Sequence, residues 1–263
     1  SVGKSSFEYP FTLSTKMLAN GRHELKIRLV DGTFKHHEIV ETINFAVDNS
    51  PLQAAFVKQN IDYRIFQGRT LHLQFQVSKP LKTAQVRVFS KTFPCFPEAK
   101  DSLIYEAFVP VECEATPNEY LFSIDCVDSV NNAVILEGKV QVVVFPFKKS
   151  KPIVGDKKVA EEKELGAAQE QLNEEIKRLL PLSPLEKLWT GSFIVPTEIG
   201  WISCEFGSLR TSQHSGLYAH KGLDIASNPK NIVWAPQAGK VVIKDRFAFS
   251  GNTVVLDHGW GIF

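Results

Sequence analysis

The chain offers one histidine–aspartate pair whose types and spacing suit a metal. His220 and Asp224 stand in the stretch AHKGLDIAS, residues 219–227, with Gly222 between them. Imidazole nitrogen and carboxylate oxygen both bind zinc at about 2.0–2.2 Å, so both must reach one point. On an extended strand, residues four apart are separated by roughly 13 Å, at about 3.3 Å per residue. The pair can share a metal only where the backbone bends. Gly222 is the residue expected to allow that bend, because glycine adopts conformations other residues avoid. The spacing alone is met more often by a solvated loop than by a ligand pair.

The other histidines add no ligand at metal spacing. His23, His36, His37 and His72 lie in the earlier part of the chain without an acidic or cysteine partner at such spacing. His36-His37 is expected to be a wet loop pair and His72 to lie on the polar face of a strand. His214, in a Ser/Gln loop, is expected to face solvent, and His258, in the turn DHG, to be structural or cleft-lining. Cys95, Cys113, Cys126 and Cys204 are separated by 18, 13 and 78 positions, which matches no zinc-finger pattern. The first three read as small buried hydrophobes or as the source of one disulfide, and Cys204 is expected to lie outside any disulfide.

These residues need elements to hold them, and the patterning is mostly that of strands. LKIRLV alternates Leu25, Ile27 and Leu29 with basic residues, and INFAV alternates Ile43, Phe45 and Val47. Leu71, Leu73, Phe75 and Val77 form a second alternating run, as do Tyr120, Phe122, Ile124 and Cys126. Period-2 alternation predicts strands with one buried face. Turn residues at Asp31-Gly32, Lys79-Pro80, Pro117-Asn118 and Asn131-Asn132 punctuate them. Residues 1–50 therefore read as the last part of a β-sandwich and residues 51–150 as a second sandwich, both resembling bacterial immunoglobulin-like modules in pattern.

Residues 151–185 change character. Leu165, Ala168, Leu172, Ile176 and Leu179 recur at helical spacing in a charged, Ala/Glu/Lys-rich segment that Pro181 stops. A linker helix over about 157–180 is predicted. From about residue 186, glycine-punctuated β runs such as VVIKD and NTVVLDH return.

The chain has 263 residues, is 43% hydrophobic and carries a formal charge of +1. That is enough apolar material for real cores and no concentrated basic face, so a nucleic-acid partner is not expected. No run reaches the roughly 18 apolar residues of a membrane span, and no signal peptide is apparent. The chain opens in SVGKSSFEYP and closes on LDHGWGIF without cap or tail, so a piece of a longer protein is expected.

Residues 186–263 resemble the lysostaphin/LytM-type zinc metalloendopeptidases, which cut peptide bonds in bacterial peptidoglycan. The resemblance rests on Phe206-Gly207 and Arg210, the His220-Lys221-Gly222-Leu223-Asp224 core, Ala235-Pro236, Gly239 and Val241, and Gly251-Asn252 through Asp257-His258-Gly259, in that order. It implies a mainly β chain ending in part of an antiparallel metallopeptidase sheet, with His220 and Asp224 as ligands of one Zn2+. It also implies a third ligand and assisting catalytic histidines from later motifs that this sequence does not contain. Those residues are expected after Phe263, none of them within the chain, so the chain as given is expected to be inactive. Arg210, Asn252 and His258 are the expected substrate-binding or cleft-lining residues. The implied partners are peptidoglycan peptides, with envelope proteins as possible contacts of the immunoglobulin-like modules, and the implied location is extracytoplasmic. Two other readings stay open: a non-catalytic envelope module that regulates other wall hydrolases, and a structural, adhesin-like β-array.

Overall fold

A computed structural model describes residues 10–32, 34–58, 63–150, 171–212, 216–228, 231–248 and 250–263. The chain is mainly β, as its patterning predicts. The centre is a two-sheet sandwich. One sheet runs β4 (Tyr63–Phe66), β11 (Ala133–Val143), β10 (Glu119–Asp128), β6 (Leu81–Val88), β7 (Lys91–Pro94). The other runs β3 (Ala54–Phe56), β5 (Thr70–Val77), β9 (Ile104–Pro110), β8 (Phe96–Pro97). Neighbours are antiparallel except β4 and β11, which pair in parallel.

Alternation is what places the core between these sheets. In β5, Leu71, Leu73, Phe75 and Val77 are buried while Thr70, His72 and Gln76 face out. Val86, Phe122, Ile124, Cys126 and Val140 meet them from the opposite sheet. Each such large side chain contributes roughly 1.5–3 kcal/mol by leaving water. Cys95 and Cys126 are members of this core, Cys113 is buried outside it, and the described residues contain no disulfide. Burial pushes the Cys126 thiol up to about 12 and raises those of Cys95 and Cys113 as well.

Among the described residues, the first predicted module contributes a single hairpin, β1 (Gly21–Val30) and β2 (Glu38–Val47), paired over its full length. Its apolar stripe is less buried than alternation implies, with Leu29 60% and Ile43 48% exposed. A two-stranded ribbon has no second layer to cover that face. Its base is tied to the sandwich: Lys79 donates to Asp48 at 2.6 Å, and Asn132 donates to the Asp48 carbonyl at 3.0 Å. The pair His36-His37 is exposed, His37 lying 2.9 Å from Asp31, and the outward-facing ring of His72 stacks on Phe108.

Residues 171–179 are helical (α1), within the predicted span, while 151–170 lie outside the described residues. Among the described residues no helix is long and apolar enough to cross a membrane. The rest of the chain forms small sheets. β12 (Lys149–Ser150) pairs with β14 (Leu209–Ser212), which pairs with β15 (Gly216–Ala219). β13 (Trp201–Cys204) pairs with β16 (Asp224–Ala226), and β17 (Lys240–Phe247) with β18 (Gly251–Asp257). An aromatic cluster fastens this region to the sandwich. Trp260 stacks on Phe96 with centroids 5.2 Å apart and meets Trp189 edge-on at 5.3 Å. Lys187 lies over both indoles and reaches the buried Glu106 of β9 at 3.2 Å.

Candidate metal centre

The His220–Asp224 pair sits at a corner between two sheets. The chain leaves β15 at Ala219, turns through His220 to Leu223, and enters β16 at Asp224. That corner brings the two side chains together: His220 Nε2 lies 3.1 Å from Asp224 Oδ1. Two ligands of a tetrahedral zinc at about 2.0–2.1 Å would be roughly 3.3 Å apart. Nε2 is buried and, among the described residues, has no hydrogen-bond partner. The Asp224 oxygen is near it without being aligned as an acceptor. An unpaired buried imidazole nitrogen costs free energy, and a cation between nitrogen and carboxylate would remove that cost. The donor chemistry and the spacing therefore fit zinc.

Gly222 acts differently from the expectation. It is absent from the residues with positive φ, so the bend uses backbone open to other residues. A Cβ there would lie 3.6 Å from His220 Nε2, an ordinary van der Waals contact, so neither backbone nor space requires glycine at this position.

The corner is braced from several sides. The His220 amide donates to the Ser208 carbonyl at 3.0 Å, and the His220 carbonyl accepts from Gly207 at 2.7 Å. Gly207 is one residue that must be glycine, with φ at +78° and a would-be Cβ 2.0 Å from Phe147 Cε1. The sandwich contributes two carboxylates. Glu114 accepts from the Ala219 amide at 2.8 Å, and Glu112 accepts from Lys221 at 3.0 Å. Hydrogen bonds from Lys221 and Lys91 hold the Glu112 carboxyl below its ordinary value, and Glu112 in turn raises Lys221. Lys221 also lines a cavity of about 790 Å³ whose other walls, including Phe89, Glu112 and Tyr120, belong to the sandwich.

A third donor stands at the same place. The ligand atoms of Cys204, His220 and Asp224 all lie within 4.8 Å of one another. Cys204 is not among the site residues expected from the sequence. Phe263 itself is partly buried and, as a hydrocarbon side chain, offers no donor. The cysteine's signal was not in local spacing, because Cys204 reaches the site by pairing with a strand 20 positions later.

The other expected site residues are elsewhere. His258, expected to be structural or cleft-lining, is 3% exposed and packs in the manner of the structural alternative. Its Nδ1 is 2.6 Å from the Ala238 carbonyl, its amide donates to Ile262, and its ring meets Phe193 edge-on. The DHG turn uses its histidine for packing. Asn252 is exposed on β18, opposite Arg246, in a sheet separate from those carrying His220 and Asp224. Arg210 has its backbone in β14 opposite Tyr218, and its side chain lies outside the described residues, as does His214.

No family model matches the chain, and no curated protein matches it. Among solved structures it is similar to the endo-β-1,4-mannanase from Thermotoga petrophila, at 16% identity and TM-score 0.29 over 37% of this chain and 21% of that one. It is similar to the GspB Siglec domain at 9% identity and TM-score 0.31, over 54% of this chain and 85% of that one. Domains 4 and 5 of the S-layer protein SbsC give 15% identity and TM-score 0.24, over 40% of this chain and 52% of that one. The chain spans about a fifth of the mannanase's length. These scores are too low to carry a shared fold or function.

Proposed function

We propose that this protein is a zinc-dependent endopeptidase of bacterial cell-wall peptides, of the kind the lysostaphin/LytM-type resemblance implies, working outside the cytoplasm. The observation that supports it most directly is the 3.1 Å approach of His220 Nε2 to Asp224 Oδ1, with that nitrogen buried and unpartnered among the described residues. Bound zinc would polarise a peptide carbonyl and bring the pKa of a bound water toward about 7. His220 offers a lone pair fixed in direction by the backbone bonds to Gly207 and Ser208. Asp224 adds negative charge from the solvent-exposed side, its side chain being 52% exposed. The sandwich would position the site and contact the wall.

The test is dye release from labelled peptidoglycan by the natural full-length protein, with zinc and after chelation. Zinc-dependent release abolished by His220→Ala is the expected result. Zinc binding at His220 without any release would refute the peptidase and leave the non-catalytic envelope module as the reading. Metal binding unchanged by His220→Ala would refute both.

A further inference from the structure

We infer that Cys204 is a protein ligand of the same zinc, making a Cys–His–Asp donor set. This rests on the reading of His220 and Asp224 as zinc ligands and adds to it a residue outside the expected set.

The argument begins in the register of β13 and β16. Trp201 pairs with Ala226 and Ile202 with Ile225, and then the register slips, so that Cys204 rather than Ser203 stands opposite Asp224. Ser203 is the extra residue of a β-bulge. Its hydroxyl caps the Asp224 carbonyl at 3.3 Å. A bulge of this kind re-aims the side chain that follows it. Directly opposed residues of an antiparallel pair share a face, with Cβ atoms about 4.5–5.5 Å apart. The slip therefore puts a thiol on the face of the Asp224 carboxylate, where the corner delivers the His220 nitrogen. All three donor atoms fall within 4.8 Å of one another. Zinc takes sulfur at about 2.3 Å and nitrogen or oxygen at about 2.0–2.2 Å, so a tetrahedral site needs separations near 3.5 Å. The nitrogen–oxygen distance is already in that range. The sulfur, no more than 4.8 Å from either atom, would need to move in by at most about 1.3 Å to reach that range.

Cys204 also differs from the other thiols by position. Cys95, Cys113 and Cys126 are all at or below 8% exposure, whereas Cys204 is half-buried. The donor types define the cation. Thiolate with imidazole suits zinc and disfavours magnesium and calcium, which take oxygen ligands. On binding, the thiol gives its proton to solvent and the sulfur donates an electron pair, with no redox change. Thiolate and carboxylate then balance the two positive charges.

Cobalt(II) is the probe, because a thiolate ligand gives it an intense near-ultraviolet charge-transfer absorption that imidazole and carboxylate do not. The full chain titrated with cobalt should develop that band, and Cys204→Ser should lose it. In competition with a chromogenic chelator, Cys204→Ser should weaken zinc by about 100-fold or more. That is at or beyond the top of the 10–100-fold cost of removing only a hydrogen-bond partner of a ligand. The wild-type spectrum needs no variant to fold. Circular dichroism and the thermal midpoint of Cys204→Ser separate ligand loss from unfolding. A wild-type complex without the band, or a band that persists in Cys204→Ser, overturns the inference. If His220→Ala still abolishes zinc binding in that case, the histidine–aspartate reading survives without Cys204. Zinc bound no better by the wild type than by His220→Ala would remove both.

Discussion

Replacing Gly207 by alanine should loosen the candidate site from a position that offers no ligand of its own. Gly207 has φ at +78°, a left-handed conformation costing a non-glycine residue roughly 1–2 kcal/mol. A Cβ at this position would lie 2.0 Å from Phe147 Cε1 and 2.3 Å from Cδ1. Phe147 has little room to retreat, because its ring also fills the space over Gly68, where a Cβ would lie 2.7 Å from Cζ. Overpacking of this kind costs about 1–3 kcal/mol. Together the two effects predict a loss of about 2–5 kcal/mol. The strain falls on the segment that anchors His220, since the Gly207 amide donates to the His220 carbonyl at 2.7 Å. Zinc affinity should fall along with stability. Urea unfolding and chelator competition on Gly207→Ala measure both. A second change separates the causes: Phe147→Ala in the Gly207→Ala background should recover the steric part of the loss and leave the part due to φ. Gly207→Ala as stable as the wild type, with zinc affinity intact, would refute the account. So would a loss that Phe147→Ala leaves untouched, as far as the steric part is concerned.

Trp260→Ala removes a nearly buried indole that stacks on Phe96 and donates to the Leu185 carbonyl at 3.1 Å. It should cost about 3–5 kcal/mol in calorimetry, and a loss below about 1 kcal/mol would remove the aromatic cluster as the fastening between C-terminal region and sandwich. In the native protein Cys204 should react with a thiol reagent well before Cys95, Cys113 and Cys126, whose thiols burial holds protonated. Mass mapping of labelled peptides checks the order, and added zinc should slow Cys204 selectively. For Asp128, burial alone would raise the carboxyl, but hydrogen bonds from Asn132 and Val130 and the charge of Lys79 together hold it below its ordinary value. The unfolded chain therefore takes the proton first. The stabilisation is complete above about pH 4 and is lost as pH falls through the folded-state value. Asp128→Asn should flatten the thermal midpoint below pH 4, and an unchanged acid slope would count against the network.

The sandwich was legible because its strands obey one simple rule. In β5 and β10 the side chains alternate between a closed core and water, so period-2 patterning specifies strand, face and core residues together. The pairing order was not legible: nothing in Tyr63–Phe66 or Ala133–Val143 says that these strands, about 70 positions apart, lie parallel. The same rule overstated burial in the β1–β2 hairpin. Alternation there reports a preference for a covered face, and a two-stranded ribbon meets that preference only partly.

The site divides along the same line. His220 and Asp224 are legible by type and spacing, because both belong to one short corner of the backbone. Gly222, expected to permit the bend, has an ordinary φ, and a Cβ there would make only van der Waals contact with Nε2. His258 illustrates the converse. A histidine in a glycine-rich turn near a ligand motif suggests a cleft, yet its Nδ1 contact to Ala238 and its packing against Phe193 place it inside. Cys204 could not be found from spacing, since its relation to Asp224 depends on a single slipped residue in a long-range strand pair. Side-chain identity is encoded locally, but which donors share a point is decided by register. One residue of slip exchanges Ser203 for Cys204 opposite Asp224, and with it a hydroxyl for a thiolate, a far stronger zinc ligand. Deleting Ser203 separates register from the bulge itself. With Ser203 gone, Cys204 follows Ile202 directly and, with Ile202 still opposite Ile225, stays opposite Asp224. A folded deletion variant should therefore keep its zinc affinity and its thiolate–cobalt band if register positions the thiol, and loss of both would show that the re-aiming of the side chain by the bulge does so instead.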